Sequence, residues 1–338
     1  MSSPRYDQVR VLVTGADGFI GSHLVEHLVA LGADVTALAL YNSFDSAGWL
    51  DDLAPEVQSV VRVVRGDVRD RGHIQRLVRG QEVVFHLAAL IAIPFSYEAA
   101  QLYVDVNVNG TLNVLEAARE ARVARLVHTS TSEVYGSAQY EPIDEAHPLQ
   151  GQSPYSASKI GGDMMAEAFA RAHDVPVVTL RPFNTYGPRQ SERAVIPTVV
   201  RQALDPQCRE IRLGTLDARR DLCFVGDTAA AFAAAGRAEG LAYGVPYNAG
   251  TGKAVSVGEL LDVVRKLTAC DKPVIQEEAR MRPANSEVRS LLADASKLTA
   301  ATAWRPQVDL ETGLARTVEW WRGRMGSKRV RRSAAYAV

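Results

Sequence analysis

A doubly wound α/β fold built on a parallel sheet is predicted by three observations. Strand-like and helix-like patterns alternate from Val9 to about Pro182. A glycine-punctuated turn follows the first strand pattern at once and opens an amphipathic helix. Several later apolar runs end in small or polar residues, as strands do along a ligand crevice.

Val9–Thr14 is a short β-branched run, and Gly15-Ala16-Asp17-Gly18-Phe19-Ile20-Gly21 follows it. The next helix carries His23, Leu24, His27, Leu28 and Leu31 and ends near Gly32. Strand, glycine turn and helix in this order point to dinucleotide binding. Glycine lets the backbone approach a pyrophosphate, and the helix N-terminus offers free N–H groups and a positive dipole. The spacing is G-x-x-G-x-x-G, so this is a Rossmann-type variant, not the commoner G-x-G-x-x-G. A second strand is predicted over 33–40; no acid and no arginine stands near Ala39 at its end, which favours NAD over NADP. Gly66-Asp67-Val68 closes a third strand and His86-Leu87-Ala88-Ala89 a fourth. Arg125–Ser130 and Val175–Leu180 read as later strands, and 99–122 and 154–172 as helices with small and apolar residues on more than one face.

Residues 1–182 are expected to form the nucleotide-binding domain, with returning pieces near 220–230 and 245–250. Beyond Pro182 the segments shorten, punctuated by Pro188, Pro197 and Pro206, and 183–325 is expected to be mainly a smaller substrate lobe. The basic end, 326–338, reads as a solvated, disordered tail.

Composition bounds the function class. The 338 residues carry a net charge of -1, with 47% hydrophobic and 23% charged residues, ordinary globular values. That charge gives no reason to expect nucleic acid or a membrane surface as a partner. Cys208, Cys223 and Cys270 are few and widely spaced, which suits buried thiols in a reducing cytoplasm. No His/Cys/Asp grouping has metal-ligand spacing, so no metal is expected. His86 reads as structural, and His23 and His27 as facing neighbouring structure or solvent.

The chemistry concentrates in Ser153-Pro154-Tyr155-Ser156-Ala157-Ser158-Lys159. Ser153 suits an N-cap and Pro154 the first helical position, so Tyr155 and Lys159 fall one turn apart on one face. A free tyrosine, with a pKa of about 10, is a poor base at neutral pH; a fixed ammonium beside it favours the phenolate.

The glycine motif, Tyr155-x-x-x-Lys159 and Thr129-Ser130-Thr131-Ser132-Glu133-Val134-Tyr135-Gly136 together resemble the extended short-chain dehydrogenase/reductase family, from about Arg10 to Trp321. That family modifies nucleotide-linked sugars with a tightly held NAD. The resemblance implies catalytic roles for Thr131, Ser132, Glu133, Tyr155 and Lys159. It implies cofactor contacts at Gly15, Gly18, Phe19, Ile20, Gly21, Asp67, Val68, Leu87, Ala88, Ala89 and Asn107, with Tyr155 and Lys159 again. It implies contacts to the substrate diphosphate and ribose at Asn184, Arg189, Arg220 and Arg282. A four-helix homodimer interface is implied as well.

Within the family, an acid at Glu133 is similar to that of sugar-nucleotide 4,6-dehydratases and UDP-glucuronate decarboxylases. Four segments resemble the legionaminic-acid-type dehydratases that act on UDP-N-acetylglucosamine: Leu40–Phe44, Ser137–Glu145, Ser153–Gly161 and Arg181–Gln190. Ala47 departs from them, since the resemblance puts an aromatic residue there. A C4 epimerase needs only Tyr155, Lys159 and Thr131. From a different class, a non-catalytic NAD(P)-sensing protein would also bind the dinucleotide, but such proteins usually lose the Tyr or Lys kept here.

Overall fold

A computed structural model describes residues 5–277, 280, 290–327 and 330. Its centre is a seven-stranded sheet in which every neighbouring pair is parallel. The strands are β1 (Arg10–Thr14), β2 (Asp34–Leu40), β3 (Arg62–Gly66), β4 (Val83–His86), β5 (Arg125–Thr129), β6 (Val177–Pro182) and, after an excursion into the smaller lobe, β9 (Pro246–Ala249). Their spatial order is β9-β6-β5-β4-β1-β2-β3. The order reverses between β1 and β4, and a ligand crevice opens at the carboxyl ends of such a pair.

Side chains alternate across each strand. Val11 and Val13 of β1 join one core with Phe85, Val35 and Ala37, while Leu12 joins the other with Val84, Leu126 and Val177. The first core is covered by α1 (Phe19–Ala30) and α4 (Val225–Arg237), the second by α2 (Gly110–Ala121) and α3 (Pro154–His173). Both faces being covered explains why these strands read as continuous apolar runs rather than alternating ones.

The smaller lobe centres on β8 (Arg219–Phe224). It pairs in parallel with β7 (Asn184–Tyr186) and with Ser290–Leu291, and antiparallel with β10 (Ala254–Ser256). Its apolar core gathers Tyr186, Ile196, Val200, Phe224, Leu260 and, from α5 (Leu310–Arg324), Leu314 and Trp321. Leu222–Phe224 pair in the small sheet, while Cys223 and α4, which begins at Val225, pack into the core of the large one.

The helix expected over 99–122 is broken. Ala100–Tyr103 passes through a π-helical turn, Val104–Asn109, before α2 begins at Gly110. The wider turn brings Asn107 inward, where it bonds the Leu90 backbone through both amide atoms and Ser158 Oγ at 2.9 Å.

The loop after β2 docks on the glycine turn, with Trp49 N–H donating to the Asp17 carbonyl. Arg324 of α5 lies over Trp49 and Trp320 at 4.5 and 5.2 Å and pairs with Asp52, so this loop also grips the smaller lobe. Ala47 is buried and, with Leu50, Leu53, Val61, Val63 and Arg65, lines a cavity of about 340 Å³.

Candidate active site

The glycine turn leaves no room for side chains. Gly15 has φ +66°, and a Cβ there would sit 2.7 Å from Ala88 N; at Gly21 it would sit 2.1 Å from Gly15 O. Gly18 is the N-cap of α1, and no side chain caps that helix. The first N–H groups of α1 thus face the crevice without a side-chain acceptor, as a pyrophosphate site requires. Phe19 and Ile20 begin the helix and are half-buried. Thr14, at the end of β1, receives Ala88 N–H on its hydroxyl and meets His86 Nδ1 at 2.9 Å, which fixes Leu87–Ala89 beside the turn. Burial pushes His86 well below the usual imidazole range, so it is neutral and structural.

Asp17 stands at the end of β2, where its carboxylate accepts from Leu40 N–H at 3.1 Å. Burial raises its pKa. Sequence reasoning sought an acid on β2 itself and missed this one, supplied from the glycine turn. Asp67 follows β3 and is held by Arg69, which keeps its carboxyl below the usual range. Val68 is buried against α2, its Cγ2 2.8 Å from where a Cβ on Gly110 would stand.

α3 starts as its sequence predicts. Ser153 and Ser156 form a reciprocal capping box, with Pro154 at the first position. Tyr155 and Lys159 are both buried on the face toward β5. Lys159 Nζ donates to Thr129 O at 2.5 Å. Burial pulls the lysine down to about 8, opposed by the Asp163 carboxylate. Tyr155 differs from the expectation drawn from spacing. Burial is the largest influence on it and pushes the phenol up; Thr131 pulls it down, while Glu133, Tyr103 and Asp163 add to the rise. Desolvation of a phenolate thus outweighs its polar neighbours. The Tyr103 ring meets that of Tyr155 edge-on at 6.3 Å.

Thr131, Ser132 and Glu133 form a tight turn after β5, with Glu133 N–H donating to Thr131 Oγ1 at 3.2 Å. Ser132 is buried and Glu133 half-buried. The turn and the head of α3 bring Thr131, Glu133 and Tyr155 together.

The substrate candidates separate. Asn184 opens β7, and its buried Oδ1 has no hydrogen-bond partner among the described residues. Arg220 lies in β8 and donates to Arg219 O. Arg189 makes a two-pronged pair with Glu26 of α1 at 2.7 and 2.9 Å and reaches Ser22 Oγ at 3.3 Å. Arg282 lies outside the described residues. Asn107 spends its side chain on Leu90 and Ser158 and ties the loop after β4 to α3.

A buried polar chain below the dyad was also missed. Asp163 accepts from His128, Ser130 and Arg181, and Arg181 donates to Tyr135, which donates to Asn248. Its signal was present: Tyr155, Lys159 and Asp163 are spaced by four on one helix face. Among the described residues, no group of three or more His, Cys, Asp and Glu side chains could hold a metal ion. No described helix is long and apolar enough to cross a membrane.

The chain matches the family described as GDP-mannose 4,6 dehydratase over residues 12–317. It is 35% identical over 323 residues to a dTDP-glucose 4,6-dehydratase of an Actinoplanes species, covering 93% of this chain and 98% of that one. It is 34% identical to a UDP-glucose 4-epimerase of Mycolicibacterium smegmatis, covering 94% and 99%. A solved structure of a DesIV double mutant, a dTDP-glucose 4,6-dehydratase from Streptomyces venezuelae with NAD bound, superposes with a TM-score of 0.82 at 33% identity, covering 93% of this chain and 97% of that one. Matched over nearly its whole length by this family and by these relatives, the chain belongs to the GDP-mannose 4,6 dehydratase family of extended short-chain dehydrogenases/reductases, whose members act as nucleotide-sugar dehydratases and epimerases.

Proposed function

We propose that this protein is an NAD-dependent 4,6-dehydratase of a nucleoside-diphosphate sugar, with UDP-N-acetylglucosamine as its substrate. The observation that carries the reading is Glu133, a carboxylate whose charge is felt by the Tyr155 phenol, two residues after Thr131. An epimerase has no use for a second base at that point.

Tyr155, with Lys159 beside it, removes the proton from the C4 hydroxyl, and Thr131 hydrogen-bonds the same oxygen. Gly15, Gly18 and Gly21 would hold NAD on the glycine turn, and the cofactor would supply a hydride acceptor for C4 and the same hydride for return to C6. The C4 ketone acidifies C5–H. Glu133 takes that proton, the C6–O6 bond breaks, and Ser132 with Glu133 delivers a proton to the departing hydroxyl. A proton then returns to C5, and the net change is loss of one water. Asn184, Arg220 and Arg282 are assigned to the diphosphate and ribose; the unpartnered Asn184 Oδ1 supports this. The smaller lobe closes over the sugar.

A C4 epimerase is the second reading, favoured by the comparable identity to the M. smegmatis epimerase. A UDP-glucuronate decarboxylase shares the acid at Glu133 but needs a cation for the substrate carboxylate. Two copies pair, in this proposal, through the face carrying Tyr97, Val104 and Met164, which are 48%, 42% and 43% exposed. Three free cysteines fit a cytoplasmic setting.

The test is mass spectrometry of the purified protein incubated with UDP-N-acetylglucosamine and without added NAD. Loss of one water is expected. A new isomer of unchanged mass moves the assignment to epimerase. No reaction there but loss of carbon dioxide from UDP-glucuronate moves it to decarboxylase.

A further inference from the structure

Below the Tyr155/Lys159 dyad lies a charged group that none of the proposed steps uses. Asp163 sits one turn beyond Lys159 on α3 and is 3% exposed. Its Oδ1 meets His128 Nε2 at 3.1 Å, and its Oδ2 accepts from Ser130 Oγ at 2.7 Å and from Arg181 Nε and Nη2 at 3.2 and 2.9 Å. His128 and Ser130 flank Thr129, the residue whose carbonyl receives Lys159 Nζ. One carboxylate therefore grips β5 on both sides of the point where the lysine lands, and Thr131 is the next residue along. Three residues make four hydrogen bonds to it, which fills the acceptor capacity of a carboxylate and fixes its orientation.

We propose that Asp163 is a positioning residue for the dyad: it clips α3 to the end of β5 and supplies the negative charge that keeps Lys159 an ammonium. The proposal rests on the assignment of Tyr155 and Lys159 as the reacting pair. The surroundings of Lys159 support it. The charged and titratable groups facing the pair are Tyr155 from α3, His86 from β4, His128 from β5, Arg181 from β6, Glu133 and Tyr135 from the turn after β5, and Tyr103 from the helix before the π-turn. His86 and His128 are held neutral by burial. Arg181 is positive and bound to Asp163. Glu133 acts on the phenol, and for the lysine itself Asp163 is the carboxylate that counters burial.

The test uses Asp163→Asn and, because that change strands Arg181, also the pair Asp163→Asn with Arg181→Met, which removes both charges together. The Lys159 Nζ resonance, assigned by its loss in Lys159→Met, is followed by ¹⁵N NMR against pH, a readout that needs no substrate. In the wild type the midpoint is expected at about 8, where burial places it. In either variant the midpoint is expected to fall by about one pH unit, with the alkaline limb of kcat moving down alongside it and KM unchanged. A folded variant with the wild-type midpoint overturns the proposal. So does failure of both variants to fold, which would make Asp163 a stability element only. Wild-type inactivity on nucleotide sugars with a shifted midpoint would leave this inference standing and remove the functional assignment instead.

Discussion

The Lys159 ammonium donates to the Thr129 carbonyl at 2.5 Å inside a buried site, so the chain keeps a charge where its own packing disfavours one. The sign of the consequence for stability can be worked out. Burial brings the folded-state value to about 8, below the ordinary lysine value of 10.5. Between those two the unfolded chain binds the extra proton, so stability contributed here rises with pH; below about 8 the full penalty is present. Lys159→Met is therefore expected to melt higher than the wild type at pH 7, and that advantage should shrink as the pH climbs from about 8 towards 10.5. Turnover should drop by about 10²-fold or more. Calorimetric melts at several pH values check the stability claim, and a wild-type melting point that exceeds the variant's throughout would refute it.

Glu133→Gln isolates the dehydration step. The amide keeps the shape of the turn, and Thr131 still accepts from the backbone N–H of residue 133. Oxidation at C4 should survive, while water loss falls by about 10²- to 10⁴-fold, the usual worth of a positioned general base. The expected signature is substrate-dependent growth of reduced cofactor absorbance at 340 nm with no dehydrated product. Undiminished water loss would take the C5 base away from Glu133.

The large sheet was legible because both of its faces are covered. Continuous apolar runs such as Val11-Leu12-Val13 serve two cores at once, and glycine turns and strand ends punctuate them. The head of α3 was legible for a local reason, since Ser153, Pro154 and Ser156 carry its cap in four residues. What escaped was set by tertiary approach. Nothing local marks Leu222–Phe224 for the small sheet, because its partners Asn184–Tyr186 and Ala254–Ser256 are distant in sequence. The π-helical turn carries Asn107 to Leu90 and Ser158, partners distant in sequence. Asp17 could not be matched to the end of β2 until the turn and strand were set side by side. The rise of the Tyr155 phenol belongs to burial, which four-residue spacing does not report.

Gly21→Ala probes the cofactor cradle. A methyl group there would meet Gly15 O at 2.1 Å and the Ala16 Cα at 2.9 Å, backbone atoms that cannot move aside without opening the turn. The variant should purify without NAD and show no saturable dinucleotide binding by calorimetric titration. Its melting point should fall too, because the displaced turn carries the start of α1. Wild-type NAD content in the variant would show that the pyrophosphate lies elsewhere.

Arg189 and Glu26 give the sharpest separation between holding a segment and holding a substrate. Arg189 has φ +67°, and its guanidinium places both Nη groups on one carboxylate of α1. Its side chain is 13% exposed and that of Glu26 31%, so the pair is shielded but not dry. The coupling measured by a double-mutant cycle of Arg189→Ala and Glu26→Ala should be about 1 kcal/mol. Each single variant should lose melting temperature while KM for the nucleotide sugar changes by less than about threefold, which is under 1 kcal/mol of binding. If instead Arg189→Ala raises KM about tenfold and Glu26→Ala does not, the arginine leaves Glu26 for the diphosphate when substrate enters. Arginine can grip a phosphate with the same two-pronged geometry that it uses here on a carboxylate, so the two outcomes differ in partner and not in kind.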